Sequence, residues 1–372
     1  MAAVRAVGRL PALSKPVSSP AARRTVSAAH VIALLLCCLL AAALLATTIG
    51  AAGIPLNRLA AAIGLNLQSA DATGMLARDK LVLWSIRIPR IALAALIGAL
   101  LAVAGAIMQG LFRNPLADPA LVGVSSGGAL AAATAIVLAD SAWGAHFQFL
   151  QTWMLPVFAF AGSLLTTILL YKIATRSGRT SVALFLLAGL AIAALANACI
   201  GLIVFMADDR QLRDITFWLL GSLSGATWPK VASIAPVAIA GLLAVPLVSR
   251  GLDLLALGEA EAFHSGVNVE RLKRICIVMV SAMTGAAVSV CGVVGFVGIV
   301  VPHLLRLVIG PGHRLLLPAS ACLGAILMIG ADTLARVLAA PAEVPIGILT
   351  AAIGAPFFLY MLLQRRGVVL QV

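Results

Sequence analysis

Charge is what this sequence lacks most: only 10% of its 372 residues are Asp, Glu, Lys or Arg, against 62% hydrophobic, with a mean hydropathy of +1.11. A water-soluble domain carries about 25% charged residues, so that class is excluded. Carboxylates are the scarcer sign, 13 against 26 basic residues. Proton-driven transport needs carboxylates inside the apolar stretches, and only Asp332 is a good candidate. It stands four residues before Arg336 on one helix face, which favours a local ion pair over a relay.

Nucleotide chemistry is missing too. No G-x-x-x-x-G-K-[ST] occurs, so the chain has no phosphate cradle and is not expected to hydrolyse ATP. There is no H-E-x-x-H, and no Ser or Cys nucleophile has a partner pattern, which argues against a membrane enzyme. The six cysteines form no C-x-x-C or metal spacing and read as packing residues. His146 and His264 stand alone, whereas a metal site needs several converging ligands.

What is present is a series of long apolar runs. Nine stretches lack Asp, Glu, Lys and Arg: 31–50, 91–112, 119–139, 152–171, 180–207, 231–249, 275–305, 315–331 and 344–363. A helix needs about 20 apolar residues to cross roughly 30 Å of hydrocarbon. The run 275–305 is too long for one crossing, and glycines at 292, 295 and 298 let the chain turn. Ten spans result, with both termini on one side. Short alternating segments of a barrel are absent.

The net charge of +13 acquires meaning only when sorted by loop, and then it needs no nucleic acid. With the N-terminus inside, 17 basic residues fall in inner segments and nine in outer ones, namely Arg58, Arg78, Lys80, Arg87, Arg90, Arg210, Arg213, Lys230 and Arg336. That bias places both termini in the cytoplasm. Residues 1–29 read as a disordered cytoplasmic tail, 30–366 as the transmembrane domain and 367–372 as a second tail. The first apolar run is too long for a cleaved signal peptide, so an uncleaved anchor is expected.

One polar stretch interrupts the apolar pattern: LGEAEAFHSGVNVERLKR, Leu257 to Arg274. With the residues before it, it reads as one or two short amphipathic helices broken at Gly258 and Gly266, in a loop of about 251–271. A soluble ATPase could grip such an element, and an ordinary solvated loop fits the pattern equally.

The stretch RIPRIALAALIGALLAVAGAIMQGLFRNPLADPALVGVSSGGALAA, Arg87 to Ala132, resembles the signature of the FecCD family of ABC permeases, which import iron-siderophores, haem or cobalamin. FWLLGSLSGATW (Phe217 to Trp228), the polar stretch, GFVGIVVPHLLRLVIGPGHRLLLP (Gly295 to Pro318) and PAEVPIGILTAAIGAPFFLYMLLQRR (Pro341 to Arg366) follow in that family's order. The likeness covers about residues 31–366 and leaves 50–85 poorly patterned. It implies an all-α, polytopic integral membrane protein of about ten transmembrane helices per subunit, with type II ABC importer permease architecture. It further implies a homodimer in the bacterial inner membrane, a cytoplasmic ABC ATPase dimer below and a periplasmic substrate-binding protein above. The partner ATPase would use ATP and magnesium, this chain would hold no cofactor or metal, and the cargo would cross by alternating access.

Carried onto this sequence, the resemblance assigns ATPase coupling to Leu257, Gly258, Glu259, Ala262 and Gly266. It assigns binding-protein docking to Arg87, Arg90 and Arg336, whose planar forks suit carboxylates. On residue chemistry alone, Arg87 and Arg90 read as interfacial snorkels at a span boundary. The translocation path and gate fall on Asn197, Phe205, Met206, Phe217, Ser222 and Ser224, although an intramembrane Asn equally serves an interhelical hydrogen bond and the aromatic and Met residues equally face lipid or core. His303, Arg306 and His313 match structural or gating positions. The turn with Arg113, Asn114, Pro115 and Asp118 reads as architectural. RDITFWLLGSLSGATW and EAEAFHSGV look most like haem permeases; ferric siderophores come second and cobalamin third. A proton-coupled secondary transporter and a non-transporting scaffold are the rival classes.

Overall fold

The computed structural model describes residues 28–50, 54–63, 75–119, 123–139, 151–176, 179–340 and 342–369. Of the expected tails, 1–29 and 367–372, residues 1–27 and 370–372 lie outside them, as does His146, while 28–29 and 367–369 belong to helices. Helices and their connections make up the described residues apart from a hairpin of two two-residue strands, β1 (Thr175–Arg176) with β2 (Arg179–Thr180). Its helices are α1 (Ala28–Thr48), α2 (Leu56–Ile63), α3 (Met75–Val82), α4 (Ile88–Leu111), α5 (Val124–Ala139), α6 (Gln151–Ala174) and α7 (Val182–Met206). They continue as α8 (Asp209–Leu219), α9 (Trp228–Leu257), α10 (Glu259–His264), α11 (Val269–Cys291), α12 (Val297–Ile309), α13 (His313–Leu338) and α14 (Ile346–Val369).

Among the described residues seven helical stretches are long and apolar enough to cross a membrane, and α5, α12 and the 346–361 part of α14 are further apolar helical segments. Together they match the ten expected spans in order.

A wide-turned segment, Leu83–Arg87, joins α3 and α4 into one stretch, Leu76–Leu111, of 36 residues. Apart from Arg90 and Gln109 near its two ends, its α4 part is apolar on every face, the pattern of a helix enclosed on all sides, and α9, α11, α12 and α13 surround it. Small residues permit that enclosure. A Cβ on Gly98 would lie 2.2 Å from Gly324 O, and one on Gly105 2.1 Å from Gly298 O, so α4 meets α13 and α12 almost backbone to backbone. By contrast α1 is nearly bare, with Leu34, Leu40 and Leu45 exposed and only one side leaning on α13. Outward leucines continue along α6, α7 and α9, as expected where the surrounding solvent is lipid.

The long run 275–305 breaks between Cys291 and Val297, as its glycines suggest. Gly292 takes φ +74°, but the second left-handed residue is Phe296 at +67°. Gly298 serves close packing against Gly105 instead of the turn. Residues 50–85, poorly patterned in sequence, hold α2 and α3, joined by a two-pronged Arg58–Asp79 pair at 2.7 Å on each prong. Alternation fails to announce them because an ion pair and a small apolar cluster around Ile54, Leu59 and Leu83 hold them.

Three interrupted helices meet at one junction. Ser222 N donates to Cys291 O (2.8 Å), Ile346 N to Gly221 O (3.0 Å) and Gly347 N to Leu220 O (3.1 Å). The end of α8, the end of α11 and the start of α14 thus satisfy one another's loose backbone groups. That is the condition for irregular backbone inside an apolar bundle.

Candidate functional site

The polar stretch folds at one end of the bundle. Helix α9 runs past its expected limit to Leu257, so Arg250 and Asp253 are helical. Gly258, at φ +138°, ends it; α10 follows for six residues, and Gly266, at +84°, closes the turn. Both expected breaks are therefore present. Asn268 caps α11, its Oδ1 accepting from Arg271 N at 3.0 Å.

Lys273 organises this end. Its buried Nζ donates to Glu259 Oε2 (3.0 Å), Glu270 Oε1 (3.1 Å) and Thr180 O (3.2 Å), while Thr180 N donates to Glu270 Oε2 (3.0 Å). One ammonium ties α10, α11 and the β1–β2 hairpin into a single piece. The two carboxylates and the carbonyl together satisfy all three N–H groups, as a buried lysine requires.

Of the five residues assigned to coupling, Leu257 is 70% exposed and Glu259 keeps half its side chain in solvent while bonded to Lys273. Gly258 and Gly266 hold the bends. Ala262 is fully buried, and Val267 N donates to its carbonyl at 3.0 Å, so its side chain seats α10 on the bundle and does not itself reach the surface. Phe263, 68% exposed, presents that surface instead, beside His264 with ring centroids 5.9 Å apart. A lone aromatic in a polar loop is the signal that could have found it. A groove of about 540 Å3 runs beside it, between Phe263, Asn268, Glu270 and Arg179.

At the opposite end lie the three arginines assigned to docking, and none extends freely outward. Arg90 Nε donates to Asp332 Oδ1 (2.9 Å) and Oδ2 (3.0 Å), while Nη1 and Nη2 hold Glu343 at 2.7 and 3.0 Å. Arg336 Nε lies 3.2 Å from Asp332 Oδ2, and its Nη1 donates to Ile49 O at 3.1 Å. Arg87 Nη1 donates to Thr47 O. Two guanidinium groups thus cap the carbonyl end of α1, where positive charge is favoured. The reading of Arg87 and Arg90 as interfacial snorkels is corrected: both are buried, because Asp332, Glu343 and the α1 carbonyls draw them inward. The Asp332–Arg336 ion pair read from sequence is present, and Arg90 joins it from 242 residues away.

The residues assigned to the pathway lie along α7 and α8 and beyond. Phe205 and Met206 are 86% and 77% exposed, and Asn197, Phe217 and Ser224 are also open, while Ser222 Oγ lies 2.8 Å from Ser224 Oγ. Asn197 makes no hydrogen bond to a neighbouring helix among the described residues. His303 stacks edge-on against Phe357 (5.7 Å). His313 N and Nδ1 face Asp253 Oδ1 at 2.8 and 2.7 Å. Arg306 meets Gln109 Oε1, and Gln109 Nε2 donates to Gly298 O at 2.9 Å. Asn114 Oδ1 accepts from Leu116 N at 3.0 Å, the expected architectural turn.

Residues 21–364 match the sequence profile of the FecCD transport family. The chain is 47% identical over 286 residues to the hemin transport system permease protein of Yersinia pestis, covering 76% of this chain and 83% of that one. To the cobalamin import system permease protein of Halobacterium salinarum it is 41% identical over 321 residues, 86% and 83% of the respective chains. A solved structure of a metal-chelate type ABC transporter in an inward-facing conformation superposes with a TM-score of 0.77 at 30% identity, covering 90% of this chain and 99% of that one.

Proposed function

Because this chain belongs to the FecCD transport family of ABC importer permeases, we propose that it forms the membrane pathway of a haem importer. In this proposal two copies face each other, a cytoplasmic ATPase dimer binds at the α10 end, and a periplasmic substrate-binding protein binds at the Arg90 end. The setting is the bacterial inner membrane with both termini cytoplasmic, a reading supported by the 17-to-nine division of basic residues.

The observation that carries the ATPase reading is α10 itself. It is a short helix presenting Phe263 to solvent beside Leu257, the exposed last residue of α9, while Lys273 and buried Ala262 bind it to α11 and the bundle. An exposed apolar pair at a rigidly stapled element is the form of a docking contact that transmits motion. ATP and magnesium would act on the partner, and this chain would hold no cofactor of its own. Exposure of Phe205, Met206 and Phe217 supports their facing the second copy across a central path, with Asn197, Ser222 and Ser224 as its polar points.

Haem as cargo rests on the higher identity to the hemin permease than to the cobalamin permease, together with the EAEAFHSGV loop pattern. Co-reconstitution with the ATPase and binding protein in liposomes tests it. ATP-driven accumulation of haem, above that of a ferric siderophore and cobalamin, is expected. Accumulation of a siderophore or cobalamin without haem refutes the cargo assignment.

A further inference from the structure

An open groove of about 920 Å3 lies between α9 and α13, at the same end of the bundle as α10. Leu242, Val245, Pro246, Pro318 and Ala321 make its apolar wall, and Arg250 and Arg314 stand in its lining. Both guanidinium groups are exposed, and neither pairs with a carboxylate among the described residues. The acid present, Asp253, already accepts from His313 N and Nδ1 through Oδ1. Arg314 is the second residue of a 26-residue helix, so the positive end of its dipole adds to the two cations. Leu243 and Leu247 flank the groove on α9 and are exposed, so the groove belongs to the lipid-facing surface.

An apolar trough closed by two unpaired guanidinium groups suits an amphiphile with acyl chains and an anionic head. We propose that this groove is a binding site for an anionic phospholipid of the leaflet on the α10 side, its phosphodiester held by Arg250 and Arg314 and an acyl chain lying along Leu242, Val245 and Ala321. The site acts on the coupling element through geometry. Helix α9 continues without interruption from the groove to Leu257, and Gly258 then hands the chain to α10. Occupancy ties α9 to α13 and fixes the base from which α10 projects.

Native mass spectrometry of the purified full chain, exchanged into nanodiscs of phosphatidylglycerol or phosphatidylcholine, tests the site. Retained phosphatidylglycerol and no retained phosphatidylcholine are expected. The doubly substituted R250Q/R314Q chain should hold phosphatidylglycerol roughly thirty-fold more weakly, with an unchanged melting temperature because both side chains are exposed. Ala321→Trp, which fills the groove and leaves both arginines, should also reduce retention, while 10 mM inorganic phosphate should displace little lipid. Equal retention of both lipids, undiminished binding in R250Q/R314Q, or full displacement by phosphate would overturn the site. So would a cross-link from Cys322 to a second copy of the chain, which would make the groove a subunit contact.

Discussion

Arg90 reaches Glu343 with both terminal nitrogens, at 2.7 and 3.0 Å, across 253 residues of sequence. Its Nε is held at the same time by Asp332, so a residue expected to await a partner's carboxylate already holds two of its own. Glu343 is the more exposed of the two acids, with about a third of its side chain open, and it is the one an incoming carboxylate could displace.

If the Arg90 end receives a binding protein, Glu343→Gln should strengthen that association about two- to tenfold, since an internal competitor is removed. The gain should shrink at high salt. Surface plasmon resonance with the permease in nanodiscs measures it. Unchanged or weaker docking at low ionic strength counts against competition at Arg90.

Arg90→Ala should destabilise the chain by about 3–5 kcal/mol, because it strands a buried carboxylate at Asp332 with Arg336 as its remaining cation. Thermal unfolding followed by tryptophan fluorescence reports it. A melting temperature equal to the parent's would contradict the network drawn here.

Phe263→Ala and Leu257→Ala should leave the permease folded yet weaken ATPase association by about 1–3 kcal/mol each, as exposed apolar anchors do. Ala262→Leu should do the reverse, costing about 1–3 kcal/mol of stability through overpacking at a fully buried site. Co-purification with the ATPase, read beside melting curves, separates the two classes.

Lys273→Met removes the cation shared by Glu259, Glu270 and the Thr180 carbonyl. Because both glutamates are partly solvated, the expected loss is about 1–3 kcal/mol, below that of a fully buried pair. ATP hydrolysis by the assembled complex should persist while cargo movement falls. A bulky or basic residue at Glu259 should uncouple in the same way. Tightly coupled uptake in the Lys273 variant refutes the staple.

Gly98→Leu should disrupt the α4–α13 crossing, where even a Cβ would lie 2.2 Å from the Gly324 carbonyl oxygen, whereas Gly330→Leu, with open space around it, should be tolerated. Expression level and melting temperature of the two variants test the contrast.

The membrane class, the order of the spans and the breaks at Gly258, Gly266 and Gly292 were legible in the linear chain. Hydropathy is a local property, and a glycine between apolar runs marks a break wherever the helices pack. The Asp332–Arg336 pair was legible for the same reason, being four residues apart on one helix. The reach of Arg90 to Glu343, the burial of Ala262 and the gathering of Glu259, Glu270 and Thr180 around Lys273 were not. Each joins segments distant in sequence, and in an enclosed bundle the partners of a charged side chain are set by which helices touch. Spacing along the chain therefore determined what could cross a membrane, and packing alone decided which charges would meet and which side chains would remain open to a partner.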